Sequence, residues 1–139
     1  GDGAFGISMN EMTAVGRSNW PGITMIIFRN YQWGAEKRNS TLWYNDNFVG
    51  TELDKQVSFA EIAKACGVNG IQVKTMEELT SELDSAVKNQ MRKGETTFIE
   101  AVLDQELGEP FRRDAMKTPV PVAGISKDDM SPQQGTSSR

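Results

Sequence analysis

A chain of 139 residues has room for one modest domain. Its 37% hydrophobic content can build a core, yet it holds no apolar run of about eighteen residues that would cross a bilayer, and no signal segment stands at its front. With 15 basic against 19 acidic side chains and a net charge of −4 it has the wrong sign for a general grip on nucleic acid; the absence of histidine excludes Ser-His-Asp and Cys-His catalysis, and one cysteine cannot close an internal disulfide. The expected setting is a reducing cytoplasm, and any chemistry must come from carboxylates, amides, backbone groups or a cofactor.

The chain opens on Gly1-Asp-Gly-Ala-Phe-Gly6, a glycine-rich turn with no strand before it. This reads as a piece of a larger protein that begins in mid-domain. Ile7 to Arg17 has a partial apolar face (Ile7, Met12, Val15) and is expected to be helical, broken by Asn19-Trp-Pro-Gly22. Ile23 to Phe28 is a continuous apolar, β-branched run, which predicts a strand buried on both faces. Asn30 to Gly34 reads as a loop, and Asn39 to Gly50, without clear period, as loop or a short helix.

The second half carries stronger signals. Ser58-Phe-Ala-Glu61 predicts a capping box, with Val57 and Ile62 as a hydrophobic staple, for a helix ending at Cys66-Gly67. Cys66 reads as a structural thiol within that helix. Ile71 to Val73 is a short strand, and Thr75-Met-Glu-Glu78 opens a helix to about Arg92, stopped by Gly94. Its charged face, Glu77, Glu78, Glu82, Asp84 and Lys88, reads as solvated surface. Thr96 to Leu103 is another strand. Helices alternating with buried strands predict an α/β fold with a parallel sheet and flanking helices. The domain is expected to span 1–109, followed by an extended tail over 110–139 that is disordered from about 126.

The opening glycines admit two readings. Gly1-x-Gly3-x-x-Gly6 matches the dinucleotide fingerprint, whose backbone approaches a pyrophosphate at a helix N-terminus. That fingerprint wants an acid at the end of the next strand, where Phe28-Arg29-Asn30 has none; Arg29 could instead meet the 2′-phosphate of NADP. The second reading employs Asp2. Its carboxylate, the Asn30 amide and the Gln32 carbonyl supply three hard oxygens for Mg²⁺, which takes few protein ligands and fills the remainder with phosphate and water. The helix after Gly3 would aim N–H groups at the same diphosphate. A helix cap and a turn are the plain alternatives for Asp2 and Asn30.

Gly-Asp-Gly, with 26 residues between Gly3 and Asn30, resembles the motif of thiamine-diphosphate enzymes of the acetolactate-synthase type. In that family the motif ends on paired asparagines; here Arg29 stands in the first place and Asn30 in the second. Asn30-Tyr-Gln-Trp-Gly-Ala-Glu-Lys37, Phe48-Val-Gly-Thr-Glu-Leu53, Phe59 to Gly67 and Glu109-Pro-Phe-Arg-Arg-Asp-Ala-Met116 are similar to the C-terminal part of the sulfoacetaldehyde acetyltransferases, from Gly1 to about Asp129. The resemblance implies the C-terminal diphosphate-binding domain of such an enzyme, without its first strand. It also implies thiamine diphosphate and Mg²⁺ as cofactors, and cleavage of sulfoacetaldehyde by phosphate to acetyl phosphate and sulfite. By position Asp2, Asn30 and the Gln32 carbonyl would bind metal, while Gly3, Ala4 and Gly34 would contact cofactor. Arg112 and Arg113 could bind an anionic substrate, or form a solvated pair on the tail.

No residue here matches the glutamate that, in the family, activates the cofactor ring from a separate N-terminal domain. The chain is therefore expected to carry no catalytic residue of its own, to need that domain as partner, and to be inactive alone. A sheet edge left open would favour a homo-oligomer. Three alternatives remain: an acetolactate-synthase-like carboligase with the same site residues, an NADP-binding module, and a noncatalytic assembly or regulatory piece.

Overall fold

The computed structural model describes residues 1–17 and 19–105. Helix α1 (Asp2–Ser8) continues through a 3-10 turn (Met9–Glu11) into α2 (Met12–Val15), followed by β1 (Thr24–Arg29) and α3 (Gly34–Trp43). Helix α4 (Phe59–Ala65), β2 (Asn69–Val73), α5 (Met76–Lys93) and β3 (Thr97–Val102) complete the order. The three strands form one parallel sheet in the order β1-β3-β2. The fold is thus the α/β, parallel-sheet class that the alternation of elements predicts.

The described chain divides into two compact units. One holds Gly1–Tyr31 and Asp54–Asp104, with the whole described sheet; the described residues of the other are Gln32–Leu53 and Gln105. In the first unit β3, last in sequence, lies between the other strands and is buried from Thr97 to Ala101. Phe98 and Ile27 face Met12, Phe59 and Ala63 on one side of the sheet. Ile99, Ala101 and Val73 face Ala86, Leu79 and Leu83 of α5 on the other. A central strand coated on both faces needs apolar side chains at consecutive positions, which is why Thr97-Phe-Ile-Glu-Ala-Val102 does not alternate.

Strand β1 departs from the expectation of burial on both faces. Ile27 is buried, but Ile26 is 38% and Phe28 53% exposed. The reason is position: β1 is an outer strand of the described sheet, and the buried apolar cluster beneath α5 is built from β3 and β2 side chains, with none from β1. The first helix also begins earlier than its residues suggest, at Asp2 rather than Ile7. Gly3 and Gly6 disfavour helix locally, yet Phe5 packs against Phe59 and Phe98 with ring centroids 5.1 Å away in both cases, and that packing recruits the glycine-rich stretch.

Helix α5 starts and stops as predicted. Thr75 and Glu78 make both arms of a capping box, and Gly94 ends the helix at φ +67°. At α4 only one arm of the expected box forms: Ser58 Oγ accepts the Glu61 N–H at 3.3 Å, while the Glu61 carboxylate pairs with Lys64. Cys66 caps α4 half-buried against the core. Between α4 and β2 the backbones nearly touch, since a Cβ on Gly70 would stand 2.0 Å from the Ala60 carbonyl oxygen.

In the second unit, Gln32 and Glu52 form an antiparallel bridge, and the Trp33 N–H donates to the Thr51 carbonyl at 2.7 Å. Helix α3 begins at Gly34 where a loop was expected and ends before left-handed Asn45 (φ 52°) and Asp46 (φ 57°). Its sequence shows no apolar period because Trp43 is its one buried residue among those described.

Gly70→Ala is expected to destabilise the protein by about 1–3 kcal/mol, the usual penalty for forcing atoms into a filled contact. A lowered urea midpoint without change in slope is the measurement that checks it.

Candidate functional site

Strand β1 ends in three residues that do different work. Arg29 is 2% exposed and is the last strand residue, in register with Val102. Asn30 follows, half-buried, and then Tyr31 turns the chain at φ 58°. A left-handed tyrosine carries about 1–2 kcal/mol of local strain, so its surroundings must hold it. One restraint is Asp2, whose Oδ2 accepts the Tyr31 N–H at 2.8 Å, while its Oδ1 accepts the Gly3 N–H at 3.0 Å.

Asp2 is thus joined across 29 positions of sequence to the turn beginning at Asn30. Its carboxylate is 3% exposed, and no lysine or arginine pairs with it among the described residues. A buried carboxylate is costly unless a cation or enough donors offset it. Two N–H groups occupy one lone pair on each oxygen and leave others for a hard cation. The donor chemistry, one carboxylate with an amide-bearing neighbour, fits Mg²⁺. Among the described residues no three of His, Cys, Asp or Glu gather as a metal cage.

The other sequence-derived site residues fall as follows. Gly3 and Ala4 lie in the first turn of α1, whose first main-chain bond runs from the Phe5 N–H to the Gly1 carbonyl at 3.0 Å. Their N–H groups precede that bond, and that of Gly3 is engaged by Asp2. Gln32 and Gly34 belong to the second unit. There the buried Gln32 side chain donates from Nε2 to the Gln105 carbonyl at 3.0 Å, and Gly34 opens α3. Arg112, Arg113 and the expected tail lie outside the described residues.

Arg29 is engaged inside the fold. Its Nη1 donates to Glu100 Oε1 at 2.5 Å and its Nη2 to the Asp54 carbonyl at 3.0 Å. The guanidinium carbon lies 4.5 Å from the Tyr31 ring centroid and 4.4 Å from that of Phe59. A side chain so committed has no freedom to meet the 2′-phosphate of a dinucleotide. Gly6 likewise has no heavy atom within 4 Å of where a Cβ would stand, so the close packing expected of the fingerprint's third glycine is missing.

Glu100, wholly buried on β3, is the residue that reading the sequence missed. Its Oε1 takes Arg29; its Oε2 takes Ser58 Oγ at 3.1 Å, the Ala60 N–H at 3.0 Å and Gln72 Nε2 at 3.3 Å. Burial alone would push this carboxyl up, but the Ala60 N–H, the Arg29 guanidinium and the Ser58 hydroxyl together hold it below the usual glutamate range. The signal was present: a lone acid inside Thr97-Phe-Ile-Glu-Ala-Val102 must find a partner.

A parallel α/β domain that joins the Gly-Asp-Gly turn to the end of its neighbouring strand is the architecture of a diphosphate-binding domain. Residues 1–101 match the family described as thiamine pyrophosphate enzyme, C-terminal TPP binding domain, and the chain belongs to that family. Its cofactor is thiamine diphosphate, held with Mg²⁺. The chain is 68% identical over 134 residues to the sulfoacetaldehyde acetyltransferase of Roseovarius nubinhibens, covering 96% of this chain and 22% of that protein. It is 68% identical over 133 residues to the enzyme of the same name from Rhodobacter capsulatus, with the same coverage. Against that of Alcaligenes xylosoxydans xylosoxydans it is 45% identical over 128 residues, 92% of this chain and 21% of the relative. The chain therefore spans about a fifth of the length of the curated relatives it matches. Among the described residues no helix is long and apolar enough to cross a membrane.

Glu100→Gln is expected to cost about 3–5 kcal/mol, because it leaves the Arg29 charge buried without its counter-ion. The lowered carboxyl sets the sign with pH. The pair's stabilisation is complete above the ordinary value of 4.5 and is lost as pH falls through the lower folded value. Unfolding midpoints measured from neutral to acid pH should fall more steeply for the parent than for Glu100→Gln.

Proposed function

We propose that this chain is the diphosphate-anchoring domain of a thiamine-diphosphate-dependent sulfoacetaldehyde acetyltransferase, the enzyme that converts sulfoacetaldehyde and phosphate to acetyl phosphate and sulfite. The names of the relatives at 68% identity support the substrate. The observation that carries the site is the buried Asp2 carboxylate, without an ionic partner among the described residues and tied to the Asn30 turn through the Tyr31 N–H at 2.8 Å.

In this reading the Asp2 carboxylate, the Asn30 side-chain oxygen and the Gln32 main-chain carbonyl hold Mg²⁺. The N–H groups of Gly3 and Ala4, with Gly34, contact the diphosphate. Bound thiamine diphosphate supplies the carbon nucleophile and electron sink that acyl-group chemistry requires. The chain's own task is to neutralise and orient the diphosphate. Arg112 and Arg113, outside the described residues, keep two readings: guanidinium groups suited to bidentate binding of a sulfonate or phosphate, and, favoured by their place in a polar tail, a solvated charge pair. Residues 1–109 form the domain and 110–139 its tail in this proposal.

The proposed partners are an N-terminal domain of the same enzyme, which contributes the acid that activates the cofactor ring, and further copies of the protein in a cytoplasmic homo-oligomer. Exposed Ile26 and Phe28 support such covering contacts. The purified 139-residue chain is accordingly expected to release no acetyl phosphate.

In the intact enzyme, Asp2→Ala and Asn30→Ala are each expected to weaken thiamine-diphosphate binding by about tenfold or more, comparable to losing a charge-assisted ligand contact. Titration by tryptophan fluorescence with Mg²⁺, and again in EDTA, checks this: the parent should lose affinity in EDTA and the variants should change little. Product analysis decides the chemistry, since acetyl phosphate and sulfite support the substrate assignment, whereas acetolactate from pyruvate would replace it with a carboligase.

A further inference from the structure

The proposed metal site depends on a turn that its own residues do not explain. Tyr31 sits at φ 58°, a region that favours glycine, and it does so between Asn30 and the N–H that anchors Asp2. Something outside the turn must hold the tyrosine. The Arg29 guanidinium is placed to do so, 4.5 Å from the ring centroid, and it is itself immobilised by Glu100 and the Asp54 carbonyl.

The hydrogen bonding of Arg29 is incomplete: its buried Nε has no hydrogen-bond partner among the described residues. A guanidinium arranged only to satisfy Glu100 would be expected to use that third donor. Here the guanidinium lies over the rings of Tyr31 and Phe59, so contact with the aromatic faces competes with the lost hydrogen bond. Phe59 opens α4, whose Ala60 N–H is held by the same Glu100. The strand end, the α4 N-terminus and the turn therefore share one anchor.

We propose that Arg29 is a positioning residue of the Mg²⁺ site: braced on Glu100 and laid against the Tyr31 ring, its guanidinium fixes the turn that presents Asn30 and holds Asp2. This rests on the assignment of Asp2 and Asn30 as metal ligands, and it gives a task to the arginine that stands where related motifs have an asparagine. Lysine would keep the charge opposite Glu100 but lose the planar face. Leucine at position 31 would keep bulk and lose the ring.

The test uses the intact enzyme and reads the Mg²⁺ concentration for half-maximal thiamine-diphosphate binding, by tryptophan fluorescence, beside the unfolding midpoint. Tyr31→Leu and Arg29→Lys should raise that Mg²⁺ requirement about fivefold or more, the scale of one shielded cation–π contact. Tyr31→Phe should stay near the parent. Affinity for the cofactor at saturating Mg²⁺ should change little in all three. If Tyr31→Leu matches the parent while Asp2→Ala raises the requirement, the inference fails and the metal site stands. If Tyr31→Phe is impaired as much as Tyr31→Leu, the hydroxyl and not the ring matters, and the inference fails. It fails too if Tyr31→Leu lowers the unfolding midpoint as far as Glu100→Gln does, because the ring would then serve stability alone. If neither Asp2→Ala nor Asn30→Ala changes the requirement, the site assignment falls and takes the inference with it.

Discussion

The buried pair of Arg29 and Glu100 is the interaction on which the first unit turns. Each charge is desolvated, and neither would be tolerated there without the other. Glu100 lies on the middle strand and reaches both neighbours, Arg29 on β1 and Gln72 on β2, while it also takes the Ala60 N–H at the start of α4. One carboxylate thus joins three strands and a helix terminus at the end of the sheet where β1 turns toward Asn30. Apolar packing at Phe98 and Ile99 is non-directional and would accept small shifts. The charged network requires a particular geometry.

Asp2 presents the complementary case, a buried carboxylate with hydrogen-bond donors but no ionic partner among the described residues. The two acids show how environment divides labour between like groups. Glu100 is fully employed by protein donors and belongs to the architecture. Asp2 retains capacity for a ligand, as the proposed site requires. Its burial depends on α1 being helical from its first residues, and that in turn depends on Phe5 reaching the core beside Phe59 and Phe98.

Several features could be read directly from neighbouring residues. The α5 capping box and its Gly94 stop are local devices, and both appear where the sequence places them. The strand formed by Ile23 to Phe28 begins within a residue of expectation. Errors arose where tertiary contacts outweigh local preference. Glycines argued against helix at Gly3 and Gly6, but Phe5 packing prevailed. Uniform apolar character suggested two buried faces for β1, yet a strand's neighbours are set by topology, and Ile26 and Phe28 stay exposed. Arg29 read as a possible phosphate ligand because its partner is 71 positions away.

The sequence by itself determined the α/β class, through periodicity and capping chemistry within short stretches, and offered Asp2 and Asn30 as candidates; the family and the cofactor came from the resemblance of its motifs to a known family. Only the tertiary structure decided that Asp2 is buried against the Tyr31 N–H and that Arg29 is spent on Glu100. It also decided which of the two units holds each proposed ligand: Asp2 and Asn30 lie in one, Gln32 in the other. The physical reason is that charge pairing and desolvation depend on distance in space: the apolar run around Glu100 shows that it needs a partner, but only a strand order of β1-β3-β2 makes that partner Arg29.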